Sequence, residues 1–253
     1  MDTIRVIVAG ATGKTGQEIV KAVNEAPGLS LVGALGGSNA GRELGELVPG
    51  IPPGIRLFAG LEEACRREEP EVLVDFTQGR VSERLVPQAI RRGLHPVVGT
   101  TGQAPAFRGE VERLCQDRHI GAVIIANFSL GIMLLNRFAR EALAYFPNLE
   151  IIEMHHETKK DRPSGTALRL AERLQEDRRK ADTGPWEIPI HSVRLPGLVA
   201  HEEVLFGGLG QVLTIRHDAL SRSSYGPGVV LAVRKVRSLN RVVYDLEDLL
   251  GPE

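Results

Sequence analysis

The sequence predicts an α/β protein: an N-terminal doubly wound parallel sheet followed by a C-terminal α+β region. Two observations carry this. Through the first half, short β-branched runs alternate with longer amphipathic segments, the pattern of strands joined by crossover helices. In the second half, strand patterns follow one another with only short turns between them, as in a mixed or antiparallel sheet.

The elements are read in order. Ile4 to Ala9 is an apolar run bounded by glycine, the mark of a buried strand. A helix follows from Lys14 to Ala26, with Ile19, Val20 and Val23 on one face. Strands are expected over Leu31–Leu35, Ile55–Phe58 and Glu71–Asp75. A helix through Leu85, Ala89 and Ile90 leads to the strand Pro96–Val98, and a helix over Val111–Arg118 leads to the strand Ile120–Ile125. A further helix from Ser129 to Tyr145 enters the strand Leu149–Met154, and Ala167–Gln175 is helical. Strand patterns then recur at Ile188–Arg194, Val199–Phe206 and Gln211–Arg216. The polar stretch between Glu176 and Pro185 contains Gly and Pro and is expected to be a mobile loop, while the charged stretch Glu172 to Lys180 also reads as a solvated helix end.

A chain of 253 residues, 42% apolar and 25% charged, is ordinary for a globular protein and can bury one large core or two modest ones. Its formal net charge of −1 supplies no field to attract nucleic acid or an anionic membrane, so neither is expected as a partner. No stretch reaches the roughly 18 apolar residues that a membrane span needs. Cys65 and Cys115 lie apart in charged, helix-like surroundings, which suits a reducing compartment. The start of the chain runs directly into a strand pattern without a basic segment and a long apolar one. A cytoplasmic protein is expected.

Gly10-Ala11-Thr12-Gly13-Lys14-Thr15-Gly16 lies between the first strand and the first helix. Glycines there allow a tight turn and let backbone amides approach a pyrophosphate, and the helix N-terminus adds partial positive charge. A Rossmann-like first region with a dinucleotide cofactor is expected, although the same glycines also fit an ordinary strand-to-helix turn. Gly13-Lys14-Thr15 imitates the end of a phosphate-binding P-loop, but that motif needs glycine where this chain has Val8. Dinucleotide folds usually carry an acid about 20 residues beyond the glycine loop to hold the adenosine ribose. Here the region reads Leu35-Gly36-Gly37-Ser38-Asn39, with no acid. A 2′-phosphate therefore meets no repelling carboxylate, with Lys14, Ser38, Asn39 or Arg42 available as contacts. NADPH is expected to serve at least as well as NADH.

Glu153 to Thr166, EMHHETKKDRPSGT, is the most informative stretch. Two of the chain's six lysines and two of its seven histidines are adjacent there. Hydride addition to an imine leaves an atom that must be protonated; His, with an ordinary pKa of about 6.5, or Lys can serve it. Substrate carboxylates favour Lys, His and a helix N-terminus, and Pro163-Ser164-Gly165-Thr166 has the composition of one. The same residues also fit a solvated charged loop with Ser164 as a plain cap.

On these motifs the chain resembles the 4-hydroxy-tetrahydrodipicolinate reductase (dihydrodipicolinate reductase) family nearly end to end. The signatures are Gly10–Gly16, Asp75-Phe76-Thr77, Gly99-Thr100-Thr101-Gly102, Ala126-Asn127-Phe128-Ser129, the Glu153 to Ala167 segment, and Phe206-Gly207 through Ser221-Arg222. The run E-x-H-H-x-x-x-K followed by P-S-G-T-A is the specific one. The resemblance implies NAD(P)H-dependent reduction of a small dicarboxylate ring in lysine and diaminopimelate biosynthesis. It implies cofactor contacts from Gly10, Ala11, Thr12, Gly13, Lys14 and Thr15. Gly99, Thr100, Thr101, Ala126, Asn127 and Phe128 would line the nicotinamide pocket. His155 would donate or accept a proton, and Lys159 would be a second donor and substrate anchor. His156, Ser164, Gly165 and Thr166 would bind substrate carboxylates. It further implies a homotetramer and a discontinuous nucleotide domain, residues 1–127 with 217–253, around a substrate domain of residues 128–216. Residues 228–236 would form an apolar helix, and the tail through Leu250 would pack on the nucleotide sheet.

Two other readings fit the same motifs: an oxidoreductase for another amino or imino acid, and a dinucleotide sensor without catalysis. Asp75 at a strand end has the chemistry for catalysis, but in a doubly wound sheet it reads rather as a residue that caps or orients a neighbouring loop. His95, His119, His191, His201 and His217 read as structural or surface residues. No His, Cys and carboxylate set has zinc-like spacing, and no metal is expected. Residues 192–198, SVRLPGL, diverge from the family's usual run, although His201-Glu202 fits it.

Overall fold

The computed structural model describes residues 3–180 and 187–250. These residues form two compact units, Met1–Phe128 with Arg222–Glu253, and Ser129–Ser221.

In the first unit, strands β1 (Ile4–Ala9), β2 (Leu29–Leu35), β3 (Leu57–Phe58), β4 (Val72–Asp75), β5 (His95–Val98), β6 (Ala122–Ile124) and β11 (Val242–Val243) form one sheet in the order β11-β6-β5-β4-β1-β2-β3. All the pairings are parallel. The crossovers are helices α1 (Lys14–Glu25), α2 (Leu61–Glu68), α3 (Gly79–Arg91) and α4 (Ala106–Arg118), and α7 (Gly226–Val236) precedes β11. A sheet covered on both faces needs continuous apolar strands rather than alternating ones. Accordingly Val6, Ile7, Val8 and Ala9 are all fully buried, as are Val72, Leu73 and Val74. Chain order runs outward from β1 through β2 and β3 on one side and from β4 through β5 and β6 on the other. The switch point between β1 and β4 is where open α/β sheets bind ligands, beyond the carboxyl ends of the strands.

The second unit has a four-stranded sheet in the order β10-β9-β7-β8. Its strands are β7 (Asn148–His155), β8 (Ile190–Arg194), β9 (Ala200–Gly208) and β10 (Gln211–Ala219). β7 runs parallel to β8 and antiparallel to β9, so the sheet is mixed. The boundary expected at residue 217 falls inside β10, which stays paired with β9 as far as Ala219 opposite Ala200. Helices α5 (Leu130–Leu143) and α6 (Gly165–Lys180) bury Leu135, Ala139, Leu143, Ala167, Leu170 and Leu174 against Leu149, Ile151, Val204 and Phe206 of the sheet.

Residues 176–180 are open to two readings in the sequence, the start of a loop and the end of a solvated helix; the loop reading is corrected, because they continue α6. Glu, Arg and Lys are good helix formers, and Leu174 at 0% exposure anchors the turn before them. The rest of that predicted loop, residues 181–185, lies outside the described residues. The tail through Leu250 does more than pack on the first sheet: Val242 and Val243 extend it, pairing with Ala122 and Val123 of β6.

Candidate active site

Every predicted cofactor residue lies in the first unit, in loops that leave the carboxyl ends of strands or, for Lys14 and Thr15, in the first turn of α1. Strand register brings those ends level: Ala9 pairs with Asp75, Asp75 with Val98, and Val98 with Ile124. Backbone bonds carry the alignment one residue further. Phe76 N–H donates to Ala9 O (3.0 Å), Gly99 N–H to Asp75 O (2.9 Å) and Ile125 N–H to Val98 O (2.9 Å). The loops at Gly10, Gly99 and Ala126 therefore share one edge. In the first of them Gly10 has φ +79°, and a Cβ there would lie 2.3 Å from Phe76 O; a Cβ on Gly16 would lie 1.9 Å from Gly10 O. Only glycine permits this turn. Gly13, Lys14 and Gly102 are exposed, and no side chain caps the N-terminus of α1. Its leading amides are thus available to a pyrophosphate, so the residues present fit a dinucleotide.

Asp75 is fully buried and orients the adjoining loop. Its Oδ1 accepts from the Thr77 backbone N–H (3.0 Å) and hydroxyl (2.6 Å). Thr100 Oγ1 accepts from the same Thr77 N–H at 2.8 Å, tying the turns after β4 and β5 together. A Cβ on Gly99 would strike the Phe76 ring at 2.4 Å, and that ring packs at 5.8 Å on Phe128, itself buried. Gly36 stands where an acid would hold the ribose, and a Cβ there would meet Leu57 at 2.7 Å. Ser38 is exposed beyond it on a 3-10 turn, Lys14 is exposed, and Arg42 pairs with Glu46 at 3.0 Å.

The residues predicted to carry protons lie in the second unit, and their placement follows from strand alternation. On β7, Leu149, Ile151, Glu153 and His155 share the face that packs on α5 and α6. The register sets Glu202 of β9 and Ser192 of β8 opposite Glu153, and Ala200 and Arg194 opposite His155. The apolar face thus ends in a row of polar residues where the chain leaves β7.

Arg194 and Glu153 occupy the middle of this row, with side chains 1% and 0% exposed. Arg194 Nη1 and Nη2 donate to Glu153 Oε2 and Oε1 at 2.8 and 2.7 Å, a bidentate pair. The same guanidinium donates to Asp161 O at 2.7 Å and Lys159 O at 3.3 Å, which holds the turn after β7. Glu153 Oε1 also accepts the Ser164 N–H at 3.2 Å. Ser164 is buried, and its hydroxyl caps α6 by accepting the Ala167 N–H at 3.2 Å. Gly165 and Thr166, in the first turn of α6, are exposed and half-buried.

His155 Nδ1 lies 2.6 Å from Glu153 Oε2. Burial raises the Glu153 carboxyl, but hydrogen bonds from Arg194, Ser192 and His155 outweigh it and hold the group below the usual carboxylate range. Burial lowers the His155 imidazole, and the bond and charge of Glu153 offset only part of that. Burial thus favours the neutral imidazole, and the tautomer that suits a carboxylate at Nδ1 carries its proton there and its lone pair on Nε2. Lys159 Nζ donates to both Asp161 oxygens at 2.9 and 2.8 Å, and His156 Nδ1 lies 2.7 Å from Thr158 Oγ1.

The structure thus gathers His155, His156, Lys159, Ser164, Gly165 and Thr166 around one turn and one helix start. Sequence reasoning assigned no role to Glu153 or Arg194. Their partnership spans 41 residues and two strands; Glu153 opens the E-x-H-H run and sits at an inward position of a largely apolar strand face, but neither signal points to Arg194. Glu202, buried and 2% exposed, enters the sequence reading only as part of the His201-Glu202 match, without a role. Among the other histidines, His95 Nδ1 meets Gly121 O at 3.2 Å, His191 Nε2 meets Glu150 at 2.7 Å and His201 Nδ1 meets Asp218 at 2.6 Å. His217 Nε2 lies 3.3 Å from Ser129 Oγ. Among the described residues, no group of three or more His, Cys, Asp or Glu could hold a metal ion.

Comparison with known proteins agrees along the whole chain. Residues 4–128 match the family description "Dihydrodipicolinate reductase, N-terminus", and residues 131–250 match "Dihydrodipicolinate reductase, C-terminus". The 4-hydroxy-tetrahydrodipicolinate reductase of Symbiobacterium thermophilum is 51% identical over 100% of this chain and 99% of its own length. That of Desulfitobacterium hafniense is 45% identical over 99% of this chain and 100% of its own. Among solved structures, dipicolinate-bound dihydrodipicolinate reductase from Paenisporosarcina sp. TG-14 superposes with a TM-score of 0.84 at 36% identity, covering 97% of this chain and 99% of that one. Two full-length relatives well above 40% identity and matches to both halves leave one assignment: this chain belongs to the dihydrodipicolinate reductase family.

Proposed function

We propose that the chain catalyses the NAD(P)H-dependent reduction of 4-hydroxy-tetrahydrodipicolinate to tetrahydrodipicolinate, a step of lysine and diaminopimelate biosynthesis. The observation that carries the reading is the turn after β7. It holds a neutral, oriented imidazole, a lysine ammonium and a helix N-terminus within one short segment, as proton transfer to a diacid requires. The conversion adds a hydride and a proton and releases the 4-hydroxyl as water. Bound NAD(P)H supplies the hydride.

The chain's own residues supply the rest. Gly10, Ala11, Thr12, Gly13, Lys14 and Thr15 bind the pyrophosphate and adenosine side of the cofactor. Gly99, Thr100, Thr101, Ala126, Asn127 and Phe128 line the nicotinamide pocket, with Thr100 and Phe128 acting through backbone because both are buried. Lys159 donates the proton and anchors a carboxylate. His155 accepts and returns a proton at Nε2. His156, Gly165 and Thr166 bind carboxylate oxygens, and Ser164 keeps the helix start in place beneath them.

The lack of an acid after β2 supports use of NADPH at least as readily as NADH. The test is a consumption assay with substrate generated in situ, run with each nucleotide. Turnover with kcat/KM for NADPH equal to or above that for NADH is expected. A marked NADH preference would refute the coenzyme reading, and no turnover with either nucleotide would refute the function. Cytoplasmic residence is supported by the free cysteines Cys65 and Cys115. Among the described residues no helix is long and apolar enough to cross a membrane.

A further inference from the structure

His155 can exchange a proton at Nε2 only if Nδ1 keeps its own, and nothing intrinsic to imidazole enforces that choice. The polar row at the end of the second sheet does. Glu153 is fully buried, its Oε2 is 2.6 Å from Nδ1, and two guanidinium nitrogens and a backbone amide hold its remaining lone pairs. Glu202, in register with it across the strand pair, is also buried, and its Oε1 has no hydrogen-bond partner among the described residues. Of the two adjacent carboxyls, therefore, Glu153 has the bidentate guanidinium and the donors, while Glu202 Oε1 has no donor and the group feels Arg169 only through its charge. The charge stays on the one that faces the histidine.

We propose that Glu153 is a positioning residue for the reduction. It accepts the Nδ1–H of His155, fixes the ring tautomer and orientation, and leaves Nε2 as the proton-exchanging atom; Arg194 keeps Glu153 ionised and immobile. The arrangement is that of a carboxylate orienting a catalytic imidazole without itself taking the proton. The inference rests on the reading of His155 given under the proposed function.

The test combines Glu153→Gln with histidine nitrogen NMR on the full-length protein. In the unaltered chain His155 is expected to show protonated Nδ1 and unprotonated Nε2 at pH 7.5. In E153Q the other tautomer should gain population and the imidazole pKa should fall, because the charge that raised it is gone. The kcat should drop by about 10- to 100-fold with cofactor KM unchanged. In a His155→Ala background the same E153Q change should cost clearly less, since its effect passes through the ring. A wild-type tautomer and kcat in E153Q, or an equal cost in both backgrounds, would overturn the proposal. So would an Nε2-protonated ring in the unaltered chain, a result that needs no variant to fold. Full turnover in H155A would instead remove the underlying role of His155; loss of turnover in H155A with a normal E153Q removes the positioning role alone.

Discussion

Replacing His155 or Lys159 by alanine is expected to lower kcat by about 100-fold or more, the scale of lost acid–base assistance, with little change in nucleotide affinity. Steady-state kinetics beside a nucleotide titration check this, and near-normal turnover in either variant removes that residue from the mechanism. Thr166→Val should act mainly on substrate KM. Glu202 gives a separate, pH-linked prediction. Burial, then the neighbouring Glu153 charge, raises its carboxyl to about 7 from an ordinary 4.5. The unfolded chain releases this proton near 4.5 while the folded chain keeps it, so stability is fully present at lower pH and is lost as pH climbs towards 7. The loss reaches up to about 3 kcal/mol. Glu202→Gln, neutral at every pH, should therefore unfold later than the parent in urea at pH 8 and behave like it at pH 4. An equal gain at both pH values would show that charge is not the cause.

The glycine loop is legible in the sequence because its meaning is local: strand, turn and helix start lie within a dozen residues. The structure adds the reason for Gly16, which the motif alone leaves open. Gly16→Ala puts a methyl group 1.9 Å from Gly10 O, against backbone that cannot swing aside. The variant is expected to weaken nucleotide binding by about 10-fold or more and to lower stability by about 1–3 kcal/mol, read by fluorescence titration and thermal melting. Unchanged affinity would mean that the loop does not cradle the cofactor. Elements with weak local signals were harder to read. β11 is two residues long and exists because β6 offers it an edge. The last turn of α6 is polar and charged, and the nearby Gly184 and Pro185 suggested a loop too early. The Glu153–Arg194 pair was illegible for a third reason: it depends on β7 and β8 being parallel neighbours in one particular register, which no short window reveals.

At the scale of the molecule, the loops proposed to hold the nucleotide belong to the unit with the seven-stranded sheet, and the turn proposed to carry protons belongs to the unit with the four-stranded sheet. Alternating strands and helices anticipated the first unit, and successive strands the second. The open face of the second sheet bears on assembly. On β10, Val212 is 70% exposed, and Ile152, Met154 and Leu205 are only half-buried. A surface of this kind supports the homotetramer expected from the family resemblance. Sedimentation velocity should give the mass of four chains; a single-chain mass at assay concentration would exclude that assembly.

The buried guanidinium–carboxylate pair also bears on temperature. Stripping water from ions costs less as a solution warms, whereas the benefit of sequestering hydrocarbon levels off. Arg194 and Glu153 are bound to each other and to the chain around them by several short bonds, so this corner gains relative strength on heating.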